Sequence, residues 1–148
     1  MDLIIEKLKK EDLKEAVEIY DKNHMTKTNY HKLLEVYDDI DQNEAYHNIV
    51  AKMDGKIVGL ATLIIHYDIV EDLKPFLTVW NVGVHKDYQR QKIGTKMFEY
   101  IEQYAREHHC DFINLTAEMK NKTAQSFYES MGYKKEVGYL KLIDKEQW

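Results

Sequence analysis

The stretch that decides the fold runs from Val82 to Met97 and reads VGVHKDYQRQKIGTKM. It starts in a β-prone run, Thr78–Val84, and ends where apolar residues begin to recur at helical spacing, from Ile93 to Tyr104. A polar, basic turn therefore connects a strand to the N-terminus of a helix. Such an N-terminus offers unpaired backbone N–H groups and the positive end of the helix dipole, so the turn is a candidate anion site suited to a diphosphate.

Residue types within the turn fit this interpretation. Gly94, early in the helix, lets a ligand approach the backbone where any side chain would intrude. Positive charge around further phosphates would come from Lys86, Arg90, Lys92 and Lys96. The alternative is a solvated connecting turn before a helix that begins near a glycine. Neither G-x-x-x-x-G-K-[ST] nor G-x-G-x-x-G occurs, so nucleotide hydrolysis and nicotinamide chemistry have no support.

Towards the N-terminus, the patterns predict a strand, two helices and a hairpin. Leu3–Leu8 is typical of a strand, and apolar residues at helical spacing predict a helix through Leu13, Ala16, Val17 and Tyr20. His31–Tyr37 predicts a second, short helix, and the acidic segment Asp38–Glu44 a loop. Two β-prone runs, Ile49–Met53 and Ile57–Ile65, flank Asp54-Gly55, which is a strong hairpin signal.

Towards the C-terminus, Asp111–Thr116 predicts a strand and Thr123–Met131 a helix that Gly132 terminates. Tyr133–Glu136 and Tyr139–Ile143 predict two short closing strands. The expected order is β-α-α-β-β-β-α-β-α-β-β, with one parallel strand–helix–strand crossover. We expect an α/β (α+β) fold: a mixed, mostly antiparallel sheet with helices on both faces. A doubly wound dinucleotide fold would need more alternating units.

Length and composition narrow the class of protein. The chain of 148 residues predicts one domain, 1–148, and its formal net charge of -5 argues against nucleic acid as a main partner. The apolar runs are too short for a membrane span, so we expect no membrane partner. Cys110 is the only cysteine, which favours a reducing compartment and a cytoplasmic location. His108-His109-Cys110 lacks a second cluster at ligand spacing, so we expect no metal.

Two segments together resemble the GCN5-related N-acetyltransferase (GNAT) family. Its acetyl-CoA signature is Q/R-x-x-G-x-G/A, and Gln89 and Gly94 fill the first and last positions. Residues 121–133, NKTAQSFYESMGY, are similar to the family segment N-x-x-A-x-x-F-Y-x-x-x-G-F/Y. Lys92 stands where the signature has its first glycine. If that position needs φ above zero, a lysine there costs about 1–2 kcal/mol; if it is helical, the ammonium lies near the phosphates.

The resemblance implies acetyl-CoA as co-substrate and a set of residues that bind it. Backbone groups of Val82 and Val84 would meet the pantetheine arm, and the Val82 amide would face the acetyl carbonyl. The turn would wrap the diphosphate, and Asn121 would anchor the cofactor from the end of the opposite strand. The residues implied in the turn are Gln89, Arg90, Gln91, Lys92, Ile93, Gly94 and Thr95.

The resemblance also implies catalytic groups. Tyr128 would be the general acid for the leaving thiolate; without the resemblance it would be a core aromatic beside Phe127. Many relatives have a glutamate on the strand before the signature, but Thr78–Asn81 contains no carboxylate. Glu118, a water chain held by Asn81, or a neutral amine that needs no base are the alternatives.

The sequence leaves several alternatives for the acceptor substrate, the oligomeric state and the function. By the resemblance, Tyr30, Tyr37, Tyr46 and Tyr67 border the acceptor pocket, in segments that also carry many acidic residues. An acidic ring would attract a cationic small-molecule amine, whereas a peptide amine or a merely solvated acidic loop are the alternatives. Pairing of the two terminal strands with those of a second copy would form a homodimer. Competing functions are a non-catalytic acyl-CoA-binding or sensor module and an interaction domain without a ligand.

Overall fold

The structure, a computed structural model, describes residues 2–143. Its elements in chain order are β1 (Leu3–Lys7), a 3-10 turn (Lys10–Asp12), α1 (Leu13–His24), α2 (Tyr30–Gln42), β2 (Tyr46–Met53), β3 (Lys56–His66), β4 (Phe76–Val84), a 3-10 turn (Lys86–Tyr88), α3 (Ile93–Glu107), β5 (Ile113–Asn114) and α4 (Lys122–Ser130). The chain divides into two compact units, one up to Leu115 and one from Thr116. The single-domain interpretation stays a prediction.

The five strands form one sheet in the order β1-β2-β3-β4-β5. The first four pair antiparallel, and β4 pairs with β5 in parallel across α3, as the crossover prediction required. The hairpin between β2 and β3 turns at Asp54 and Gly55, whose φ values of 50° and 83° suit a tight turn between twisted strands. The expected mixed, mostly antiparallel sheet is confirmed.

Helices pack on both faces of the sheet. A β-carbon built on Gly59 of β3 would lie 2.8 Å from Met97 Sδ of α3, so this face of the strand touches α3. Its neighbour Leu60 points to the opposite face, because side chains alternate along a strand. There Leu60 packs against the buried cluster around Ile19 of α1. The α3 side of the core is fully buried at Met97, Phe98 and Ile101.

The second helix is longer than predicted. Asp38–Glu44 was expected to be a loop, but α2 continues through Gln42. Ile40 extends the apolar stripe of Leu33 and Tyr37 by one more helical step, and Asn29 caps the first turn by accepting a 3.0 Å hydrogen bond from the backbone N–H of Lys32. Asp38, Asp39 and Asp41 are therefore on a helix, so the loop prediction is wrong for Asp38–Gln42, and only Asn43 and Glu44 lie outside the helix as predicted.

The C-terminal strands also differ from the prediction. Asp111–Thr116 was expected as a strand, and β5 covers only Ile113–Asn114 of it. The predicted closing strands Tyr133–Glu136 and Tyr139–Ile143 are not strands in the structure. Tyr139 is 96% exposed and Ile143 71% exposed, so these apolar side chains gain no buried face that would stabilise a strand. The helix before them ends as predicted, with Gly132 at φ +94°.

Within residues 2–143, no helix has the length and apolar character required to cross a bilayer.

Candidate functional site

A β-bulge distorts β4 next to the turn that the sequence singled out. Thr62 of β3 pairs with Trp80, and Leu60 pairs with Gly83. Between these two pairs β3 contributes one residue, whereas β4 contributes Asn81 and Val82. Asn81 takes up the extra length with φ +57°. Bulges of this kind bend a strand and re-aim its side chains, and they are frequent beside active sites.

The outer edge of β4 is open beyond its first residues. Pairing with β5 is limited to Leu77 with Ile113 and Thr78 with Asn114, supported by a 2.9 Å hydrogen bond between the two side chains of the second pair. Among residues 2–143, no strand pairs with the β5-facing edge of β4 from Val79 to Val84. An open strand edge presents backbone N–H and C=O groups to which an extended ligand can add as a further strand.

Two side-chain amides hold the end of β4. Asn23 of α1 donates a 3.0 Å hydrogen bond to the carbonyl oxygen of Val84, and Gln89 donates a second one, of 3.3 Å, to the same oxygen. The first signature residue thus ties the turn to the strand through its side chain. Asn23 is a positioning residue that the sequence did not reveal, because its sixty-one-residue separation from Val84 leaves no local pattern.

The turn before α3 contains two left-handed residues. Arg90 has φ 67°, and Lys92, the residue that directly precedes α3, has φ 63° and ψ 19°. The position at which the signature has a glycine therefore does need φ above zero, and the lysine accepts the strained conformation. Left-handed residues in a turn change the direction of the backbone N–H groups beside them, and such turns form anion-binding concavities.

The N-terminus of α3 is available to a ligand. The Lys92 side chain makes no capping hydrogen bond to the first turn, so the first N–H groups of this helix lack the usual intramolecular acceptor. No ion pair within the described residues involves Arg90 or Lys92, whereas Lys96 pairs with Glu99 at 3.3 Å. Two unpaired cations therefore flank an uncapped helix N-terminus, an arrangement that favours a multiply charged anion.

A cavity of about 320 Å³ lies between α1, α2 and strands β2 to β4, entirely within the unit that ends at Leu115. Asn81, at the bulge, is part of its wall, so the cavity adjoins the open stretch of β4. Of the four tyrosines predicted to border an acceptor pocket, Tyr37 and Tyr46 line this cavity, whereas Tyr30 and Tyr67 do not. The acidic residues of α2 do not line it either.

The remaining predicted residues lie together in the second unit. Asn121 caps α4: its side-chain oxygen accepts a 3.0 Å hydrogen bond from the N–H of Ala124. Glu118 precedes this cap and pairs with Lys120 at 3.8 Å. Tyr128 lies in α4, and burial raises the pKa of its hydroxyl above the ordinary value. A tyrosine with a raised pKa stays protonated at neutral pH, which suits a proton donor.

The family follows from comparison with known proteins. The model of the Acetyltransferase (GNAT) family matches residues 2–133. The chain belongs to the GNAT acetyltransferase family. That match includes both motifs, so the predicted family is confirmed, and acetyl-CoA-dependent N-acetylation is the general reaction of the family.

Individual relatives of this GNAT chain are distant. The protein described as "Probable N-acetyltransferase camello" of Xenopus tropicalis is 29% identical over 86 residues, which are 58% of this chain and 37% of that protein. A transcriptional regulator from Bacillus halodurans C-125 is similar in structure, with a TM-score of 0.88 at 21% identity over 96% of this chain and 99% of that one. Glucosamine-6-phosphate N-acetyltransferase from Arabidopsis thaliana has a TM-score of 0.82 at 17% identity, over 98% and 100%. These two structures support the fold.

Proposed function

We propose that this GNAT protein is an N-acetyltransferase that moves the acetyl group of acetyl-CoA onto a primary amine by direct attack in a ternary complex. The observation that carries the proposal is the open edge of β4, from Val79 to Val84, which leads directly to the uncapped N-terminus of α3. Acetyl-CoA has matching features in the same order: an extended pantetheine arm that can add to a strand edge, followed by a diphosphate that a helix N-terminus can bind.

The chain's own residues fit acetyl-CoA along that path. Val82 would contribute backbone groups to the pantetheine arm, and the N–H of Val84 would do so as well, because the Val84 carbonyl already accepts two side-chain hydrogen bonds. The backbone from Gln89 to Thr95 would hold the diphosphate, with Arg90 and Lys92 adding charge. Asn121 is the proposed contact from the second unit, through the part of its amide that does not cap α4.

The reaction needs a nucleophile, an oxyanion donor and a proton donor. The lone pair of the neutral amine attacks the carbonyl carbon of the thioester, a C–N bond forms, and the C–S bond breaks with its electron pair leaving on sulfur. The amine nitrogen loses one proton and the sulfur gains one, so the products are an acetamide and coenzyme A. We assign the Val82 amide to the developing oxyanion and the Tyr128 hydroxyl to the sulfur.

The site offers few candidates for a general base. Thr78–Asn81 has no carboxylate, and Glu118 is paired with Lys120. Glu118 and a water held by Asn81 therefore compete with a third route in which the amine arrives neutral and its excess proton passes to solvent after attack.

Release of free thiol from acetyl-CoA in the presence of a broad amine panel tests the function. Tyr128→Phe should lower kcat by about 10²-fold or more, the usual contribution of a general acid, with an unchanged Kd for acetyl-CoA. Tyr133→Phe is the matched control, since its ring lies 6.2 Å from that of Tyr128 and it has no proposed role. Equal turnover of the Tyr128→Phe variant and the wild type would reject the assignment.

The missing strand carboxylate favours one second candidate, a non-catalytic acyl-CoA-binding module. Such a module would bind acetyl-CoA in a calorimetric titration and release no thiol with any amine. The two measurements made on the same preparation separate the candidates.

A further inference from the structure

The cavity beside the β4 bulge has walls without formal charge. Its lining includes aliphatic side chains from three elements, among them Leu13 of α1, Leu33 of α2 and Leu60 of β3. Three tyrosines also contribute to it, and none of the described residues that line it is an Asp, Glu, Lys, Arg or His. A ligand group that enters this cavity is therefore stabilised by burial of its apolar surface, and a charged group would have no counter-ion there.

The acidic residues nearby are engaged elsewhere. On α2, Asp38 pairs with Lys10 at 3.6 Å and Asp41 pairs with Lys7 at 3.2 Å. Asp21 of α1 accepts hydrogen bonds from both Thr26 and Thr28, and these bonds hold the pKa of its carboxyl below the ordinary value although burial acts in the opposite direction. None of the described acidic residues lines the cavity. A polycationic acceptor that enters it would therefore lose hydration without a carboxylate on the wall to compensate.

One polar row crosses the cavity wall and ends at the bulge. The Thr62 hydroxyl donates a 2.6 Å hydrogen bond to Asn48 Oδ1 and accepts one of 3.2 Å from Asn81 Nδ2. These three side chains lie on three adjacent strands and all line the cavity. Because Asn81 spends its amide nitrogen on Thr62, its Oδ1 is left as an acceptor, and within residues 2–143 it has no protein donor. Asn81 directly precedes Val82, the proposed oxyanion donor.

We propose that the acceptor is a compact primary monoamine with an apolar body, aliphatic or aromatic. The body fills the cavity, and Asn81 Oδ1 accepts an N–H of the amine beside the acetyl group. The volume of the cavity lies at the small end of the range of about 300–1,000 Å³ for small-molecule sites, so the apolar part of the acceptor must be compact. An uncharged apolar wall also favours the neutral form of a bound amine, the form that attacks, so the site works without a strand carboxylate. This assignment rests on the proposed N-acetyltransferase function.

The test compares 2-phenylethylamine with spermidine at saturating acetyl-CoA, by thiol release and by methyl NMR of the wild-type chain. We expect kcat/KM for 2-phenylethylamine to exceed that for spermidine on the order of 100-fold. We also expect 2-phenylethylamine to shift the methyl signals of Leu33, Ile40 and Leu60, which line the cavity. Leu33→Asp should lower kcat/KM for 2-phenylethylamine and narrow the gap to spermidine. Leu34→Asp is the matched control. Leu34 is next to Leu33 on α2, but its side chain is 37% exposed and does not line the cavity.

The outcomes separate the two proposals. Efficient turnover of spermidine in preference to 2-phenylethylamine would overturn the acceptor class and leave the enzyme function standing. Cavity shifts with 2-phenylethylamine, without thiol release from any amine, would reject the function and keep the ligand class. Absence of both binding and turnover with 2-phenylethylamine would overturn the acceptor class.

Discussion

Replacing Lys92 by glycine should both stabilise the protein and lower its affinity for acetyl-CoA. Lys92 has φ 63° directly before α3, and a side chain in this left-handed region costs about 1–2 kcal/mol. Glycine removes that cost but adds about 0.5–1 kcal/mol of backbone entropy to be lost on folding. The expected net gain in the free energy of unfolding is therefore between about 0 and 1.5 kcal/mol, centred at about 0.75 kcal/mol, or up to roughly 5 °C in Tm for a chain of this size.

A second variant separates strain from charge. Lys92→Ala keeps the β-carbon and hence the strain, so its free energy of unfolding should stay within about 0.5 kcal/mol of the wild-type value. Both variants lose an exposed ammonium beside the proposed diphosphate, which should raise the Kd for acetyl-CoA by up to about fivefold. Denaturant unfolding and calorimetric titration of the three proteins give both quantities. If Lys92→Gly is no more stable than Lys92→Ala, the strain argument fails.

Two further predictions concern the packing around Gly59 and the pH dependence of the protein's stability. Gly59→Ala should lower the free energy of unfolding by about 1–3 kcal/mol, because the new β-carbon would lie 2.8 Å from Met97 Sδ and 3.2 Å from the Gly83 carbonyl oxygen. Denaturation midpoints measure this change, and a loss of stability below about 0.5 kcal/mol would contradict the prediction. Burial lowers the pKa of His47 below 6.5, so as the pH falls through 6.5 the unfolded chain takes up a proton that the folded chain resists, and stability is lost. His47→Phe should flatten the stability profile below pH 6.5, and an unchanged slope would show that another group causes it.

The sequence predicted well where the determining signals are local. Asp54-Gly55 between two β-prone runs was sufficient for the hairpin, and the helical stripe that starts at Ile93 was sufficient for α3. The signature and the segment around Tyr128 led to the family. Motifs of this kind consist of neighbouring residues, so a single sequence carries them in full.

The errors came from interactions between distant residues. The acidic segment after Tyr37 was predicted as a loop because its charges dominated the pattern, although Ile40 continues the apolar stripe. Two of its three aspartates, Asp38 and Asp41, pair with Lys10 and Lys7, which precede α1, and no local pattern reveals these pairs. Sequence patterns also cannot identify residues that meet only after folding.

The cavity is the clearest case of this kind. Asn48, Thr62 and Asn81 form one hydrogen-bonded row only because the register of three strands brings them together at the bulge. Each of them alone is an unremarkable polar residue in a β-prone run. The proposed acceptor pocket, and with it the absence of charged residues from its lining, can therefore be identified only from the tertiary structure.

The most direct test of the central claim is a calorimetric titration of acetyl-CoA into the wild type, Gly94→Ala and Gly94→Asp. An aspartate in the first turn of α3 interacts favourably with the helix dipole and should maintain or raise the free energy of unfolding, but it places a negative charge where the diphosphate is proposed to bind. We predict one acetyl-CoA per chain for the wild type. Gly94→Ala should bind more weakly because its methyl group intrudes on the ligand, but should keep measurable affinity because the family signature allows alanine there. Gly94→Asp should lose binding. Wild-type affinity in Gly94→Asp, or no binding by the wild type, would contradict the account.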